Sequence, residues 1–109
     1  MKQYQHPTAD QFSLTCVLHA LSDPVRLNYV QCLATLTCEQ PCGAIATPVA
    51  KSTMSHHLRV LREAGIIRIR TEGTHSLTSL RWDELEARFP GVFTSVLKAV
   101  DKNVLVEEE

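Results

Sequence analysis

The chain has 109 residues, 44% hydrophobic and 21% charged, the balance of one globular domain and not of a disordered chain. Its net charge of −1 provides no overall attraction to nucleic acid or to anionic membranes, so any such partner has to be met by local charge. No apolar run approaches the roughly 20 residues of a membrane span, and residues 1–7 lack an apolar signal region. A cytoplasmic protein is therefore expected, in which Cys16, Cys32, Cys38 and Cys42 are reduced thiols or ligands and not structural disulfides.

Residues 1–8 carry no periodic pattern and read as a loose arm. Over residues 10–21, Phe12, Leu14, Val17, Leu18 and Leu21 recur at helical spacing, with Cys16 among them. Ser22-Asp23-Pro24 is both a break and a start signal: Asp23 can cap the next helix and Pro24 suits its first position. That helix is predicted over residues 24–36, with Val25, Leu27, Val30, Leu33 and Ala34 toward the core. Residues 37–41 read as a turn, and residues 42–46 as one or two helical turns ended by Thr47-Pro48.

Residues 51–65 form the stretch around which the chain is organised. Met54, Leu58 and Leu61 follow the i, i+4, i+7 spacing of a core-facing helical stripe, and Gly65 supplies a left-handed stop. Ser52, His56, Arg59 and Glu63 fall on the opposite side, with Ser55 and Arg62 at one edge. Short hydroxyls, His and Arg are side chains that reach phosphates and base edges from a helix lying in a major groove. By itself this face is equally a solvated one. After Gly65, Ile67 and Ile69 alternate with Arg68 and Arg70, the link Thr71-Glu72-Gly73-Thr74 contains a glycine, and Leu77 and Leu80 lie in a second short run. The two runs make a β-hairpin with basic residues on its polar side. A helix followed at once by such a hairpin is the winged helix-turn-helix arrangement, in which the wing reaches the backbone or minor groove beside the helix.

Beyond the hairpin, residues 82–89 are helical in pattern, Pro90-Gly91 interrupts, and Val92, Val96, Leu97 and Val100 form a last amphipathic stripe. The expected fold is mainly α with a β-hairpin wing. It is one domain over residues 1–109, with the helix-turn-helix over about 42–65, the wing over about 66–80 and C-terminal helices over about 82–102. The first and last helices are more apolar than a small core needs, which points to a homodimer formed through them and to paired half-sites on DNA. Charge is segregated accordingly. Residues 51–81 hold six cations against two acids, a net +4, while residues 82–109 carry a net −4.

At Ser52-Thr53-Met54-Ser55-His56-His57-Leu58-Arg59-Val60-Leu61-Arg62-Glu63-Ala64-Gly65-Ile66-Ile67 the chain resembles the ArsR/SmtB (arsenic-repressor) family of bacterial winged-helix repressors. Leu18-His19-Ala20-Leu21-Ser22-Asp23-Pro24-Val25-Arg26-Leu27 is similar to that family's second anchor, and Glu72-Gly73 to its wing turn. The resemblance covers most of residues 12–100. It implies a homodimeric repressor of double-stranded operator DNA whose grip changes when a metal, metalloid or oxidant reaches a sensor site. It further implies that Ser52, Thr53, Ser55, His56 and Arg59 face DNA together with the wing residues Arg70, Gly73 and His75. His57 matches a family position too, but the helical wheel sets it beside the apolar stripe, so it reads as structural.

The arsenic-responsive members carry a Cys-x-Cys pair, for which the nearest equivalent here is Cys38-Glu39-Gln40-Pro41-Cys42. Pro41 opposes a continuous helix across residues 38–42. The zinc-sensing site on the last helix is absent in kind, because residues 92–106 contain no His. What is left is a candidate thiol site of Cys38 and Cys42, with Cys16 as a third sulfur. It suits a soft ion such as arsenite or Zn²⁺, or oxidation to a disulfide or polysulfide, while the alternative is ordinary thiols with no cofactor. Cys32 reads as buried filler. Two other functions compete with the repressor: a winged-helix protein-interaction module without a DNA-binding role, and a thiol enzyme. An enzyme is not expected, because there is no Cys-x-x-Cys and no cysteine adjacent to an obvious base.

Overall fold

The computed structural model describes residues 4–36, 38–45 and 47–107, and for 101–107 the backbone only. Phe12 is extended (φ −62, ψ 139) and drives its ring into the core, so the first helix does not start at residue 10. A short 3-10 turn, Ala9–Gln11, precedes it, and helix α1 runs Leu14–Leu21 with Ser13 Oγ accepting the Cys16 N–H at 3.4 Å. Helix α2 runs Pro24–Leu36. Asp23 Oδ2 accepts the Val25 and Arg26 N–H groups at 3.1 Å each, the cap that the Asp-Pro pair predicts.

The chain then departs from its expected course. Gln40–Pro41 form a short strand, β1, and the described residues 42–45 make turns where helical turns were expected. Pro41, Gly43 and Pro48 bracket too few residues for a helix whose first turn is costly to nucleate. The chain instead gains ladder pairing: the Cys42 N–H donates to the Ser76 carbonyl at 2.9 Å.

Helix α3 runs Lys51–Glu63. Its end is a Schellman closure, with the Gly65 N–H donating to the Arg62 carbonyl and the Ile66 N–H to the Leu61 carbonyl, both at 3.0 Å. Gly65 sits at φ +89 with the Phe12 ring packed against its α-carbon, so a β-carbon there would overlap the ring. Strands β2 (Ile67–Glu72) and β3 (His75–Leu80) follow as a hairpin linked by Gly73-Thr74, with Gly73 at φ +61. The antiparallel sheet has order β1-β3-β2, and Ile69 is paired with Thr78. Helices α4 (Trp82–Arg88) and α5 (Val92–Glu107) complete the chain, with Trp82 packed edge-on against Phe93 at 5.1 Å between ring centroids.

The core lies where α2, α3, the sheet and α5 meet. Tyr29, Val30 and Leu33 from α2 bury against Leu61, Ala64, Ile66, Ile67, Ile69, Leu85, Phe93 and Leu97. On β2 the alternation is clean, since Ile67 and Ile69 are buried while Arg68 and Arg70 are exposed. The fold is the winged helix: mainly helical, with a small antiparallel sheet as wing. Among the described residues no helix is long and apolar enough to cross a membrane.

Candidate nucleic-acid interface

Helix α3 is held by one face so that the other is free. Leu61 is fully buried, Met54 and Leu58 are half-buried, and His57 lies inward at 8% exposure. The Arg26 guanidinium, itself buried, places Nη1 3.0 Å from His57 Nδ1. Arginine has no acceptor, so Nδ1 accepts and the ring proton sits on Nε2, which is 3.7 Å from Asp23 Oδ2. Arg26 Nε also donates to the Ala20 carbonyl at 2.6 Å. Asp23 thus caps α2, and the residues it orients lock α3. The inward reading of His57 is what the structure contains.

Around the same helix, Ser52, Thr53, Ser55, His56 and Arg59 are all exposed. Arg59 Nη2 lies 3.4 Å from His56 Nδ1, so the two longest side chains of this face lie together. A groove of about 800 Å³ borders the face and is lined by Ser52, Ser55, His56, Arg59, Arg62 and Cys42 among others. Its cations and hydroxyls are the donor types that phosphate oxygens accept from.

On the wing, Gly73 and His75 are exposed at the tip and Arg70 is exposed on the polar side of β2. Arg70 is not free, however. Its Nε and Nη2 each donate at 2.8 Å to the two carboxylate oxygens of Glu39, and Glu72 lies 3.6 Å away. The Arg70 hydrogen bond holds the Glu39 carboxyl below its ordinary range. Arg68 is paired in turn with Glu84 at 3.3 Å. Glu39 belongs to the polar make-up of this interface and went unread in the sequence, because the strand that brings it beside β2 carries no alternation to predict it.

The three candidate sensor thiols are spread out. Cys16 is exposed on α1, Cys38 is exposed, and Cys42 is half-buried. Cys38 accepts an N–H from the Gln40 side chain at 3.1 Å and lines a groove with Leu33, Ala34 and Trp82, whereas Cys42 lines the groove beside α3. Burial pushes the Cys42 thiol up. Among the described residues no three His, Cys, Asp or Glu side chains converge to hold a metal ion. Within one chain, then, these thiols do not compose a soft-metal site.

Known proteins carry the same arrangement. Residues 21–70 match the helix-turn-helix domain family. The chain is 34% identical over 77 residues, 69% of its length, to 77% of the uncharacterized HTH-type transcriptional regulator YceK of Bacillus subtilis (strain 168). A solved structure of a possible transcriptional regulator for arsenical resistance is 29% identical with a TM-score of 0.60, covering 84% of this chain and 97% of that one. The crystal structure of M. tuberculosis Rv0081 shares the fold at 23% identity and a TM-score of 0.59, over 84% of this chain and 88% of its own. An outward polar helix face, a wing beside it and this degree of likeness to YceK place the chain in the family of helix-turn-helix transcriptional regulators.

Proposed function

We propose that the protein is an ArsR/SmtB-like repressor that binds double-stranded operator DNA as a homodimer. The observation that carries the reading is the two-sidedness of α3: Ser52, Thr53, Ser55, His56 and Arg59 are outward while His57 and Leu61 are pinned inward. A helix anchored in this way offers a rigid row of donors to a major groove. The wing residues Arg70, Gly73 and His75 extend the contact to the flanking backbone.

The homodimer is supported by leucines that the chain leaves uncovered. Leu14 and Leu18, one helical turn apart on α1, are 40% and 43% exposed, while Val17, Ala20 and Leu21 turn inward. A second copy packing on α1, with α5 alongside, would cover them and set two α3 helices at half-site spacing. Release by a thiol-reactive signal belongs to the same reading. Cys38 is accessible, and Cys42 lies in the groove beside the DNA-facing residues, where added bulk or charge would disturb them.

The test is fluorescence anisotropy on DNA from the protein's own upstream region, as a salt series. It is repeated with oxidant, arsenite or Zn²⁺ beside a Cys38→Ser/Cys42→Ser variant. Affinity that falls steeply with salt supports the repressor, and release seen only in the unsubstituted protein supports the thiol signal. Salt-insensitive or absent binding by a folded dimer would favour the protein-interaction module.

A further inference from the structure

The stretch Tyr4-Gln5-His6-Pro7 has no periodicity, yet it runs between α3 and the outer edge of the wing and is gripped from three sides. From α3, Arg62 Nη1 donates to the Gln5 carbonyl, and the Arg62 guanidinium lies 5.4 Å from the Tyr4 ring centroid. From the sheet, the Ile69 N–H donates to His6 Nε2 at 3.0 Å, and the Tyr4 hydroxyl lies 3.4 Å from Ser76 Oγ. From the start of α4, Arg81 Nη1 donates to the Pro7 carbonyl at 2.7 Å. The position of β2 explains the His6 contact. It is an edge strand of the described sheet, so alternate N–H groups point away from β3, and the imidazole satisfies one of them.

We propose that this arm is a brace: Tyr4 and His6 tie the wing to helix α3 and are positioning residues for DNA binding, although neither stands on the DNA-facing row. The proposal rests on the DNA-binding reading above. Tyr4 touches α3 through Arg62 and the wing through Ser76, and His6 grips the strand whose next polar residue, Arg70, is a wing contact. Loss of the brace leaves the helix-turn-helix intact but lets the hairpin swing relative to α3.

The grip depends on pH, because His6 Nε2 accepts only while unprotonated. The charged groups around it are Arg62 of α3, Arg68 of β2 and Arg81 before α4, with Glu84 of α4 pairing both Arg68 and Arg81. Burial, then these three cations, hold the imidazole below its ordinary value of 6.5. The brace is therefore complete above that value. As pH falls through it, the undocked arm takes up the proton first and docking weakens.

The deciding experiment uses the full chain and follows amide hydrogen exchange at Ile69 together with anisotropy on the upstream DNA. In His6→Ala, Ile69 exchange should rise and DNA affinity fall, each roughly five- to tenfold, the worth of one hydrogen bond, while core amides such as Leu61 stay protected. Lowering the pH from about 7.5 to about 5.5 should loosen Ile69 in the unsubstituted protein, beyond the intrinsic rate change, by the same proton linkage. His6→Gln, whose amide oxygen accepts without titrating, should keep the protection and lose that pH response. Unchanged Ile69 exchange in His6→Ala overturns the brace. So does faster exchange with unaltered DNA affinity, or a pH response that survives in His6→Gln. Absence of DNA binding by the unsubstituted protein would instead sink the DNA reading, and the exchange at Ile69 alone would then decide the brace.

Discussion

The buried Arg26 guanidinium lies 3.0 Å from His57 Nδ1, and this contact joins the N-terminal turn of α2 to the inner face of α3. Both groups are more than nine-tenths buried, so removing either leaves the other without its partner away from water. His57→Ala or Arg26→Ala should each cost about 1–3 kcal/mol of stability, read from urea denaturation. In a double-mutant cycle the two should couple by roughly 0.5 kcal/mol or more. Additive losses would show that the contact does not join the helices.

A second stability test concerns Gly65. Its φ of +89 and the Phe12 ring against it both oppose a side chain. Gly65→Ala should destabilise by about 2–4 kcal/mol, combining the left-handed cost with a clash in a packed core. A thermal midpoint within a degree of the unsubstituted protein would contradict this close approach.

The outward row of α3 makes the opposite demand, binding without stability. Arg59→Ala and His56→Ala should each weaken operator binding, and Arg59→Ala should lower the salt slope by about 1. Because both positions are exposed, unfolding free energy should stay within about 0.5 kcal/mol. A large loss of stability with unchanged binding would reverse the assignment of the two faces.

Glu39 holds Arg70 in a two-oxygen grip on the wing. The Arg70 side chain is 49% exposed, so the pair is solvent-screened and its loss should leave stability nearly unchanged. Glu39→Gln removes an acid beside the DNA and frees the guanidinium, and affinity should rise about two- to fivefold at low salt. Weaker binding in Glu39→Gln would mean that Glu39 orients Arg70 and does not withhold it.

The thiols should separate by reactivity. Cys16 and Cys38 are exposed, whereas Cys42 is half-buried with its thiol pushed up by that burial. Alkylation at about pH 7.5 should label Cys16 and Cys38 well before Cys42, followed residue by residue by mass spectrometry. Early labelling of Cys42 would show that its groove opens in solution.

Local chemistry was readable wherever a signal and its consequence lie within one turn or one hairpin. Asp23-Pro24 starts α2, Gly65 ends α3, Gly73 turns the wing, and alternation along β2 sorts Ile67 and Ile69 from Arg68 and Arg70. The polar row on α3 follows from its 100° period in the same way. What lay beyond reach were contacts between segments far apart in the chain. Strand β1, with Glu39 just before it, owes its place to pairing with β3, and residues 42–45 took turns where a local reading set a helix. The arm at residues 4–7 has no pattern, because its order comes from Arg62, Ile69 and Arg81, each contributed by a different element. By itself the sequence determined the elements and the face each one shows, since helix periodicity, capping and turn geometry act over a few residues. Which polar groups meet across the fold, Arg26 with His57 or Glu39 with Arg70, was decided only by the tertiary structure, because such pairs form once packing has fixed both backbones.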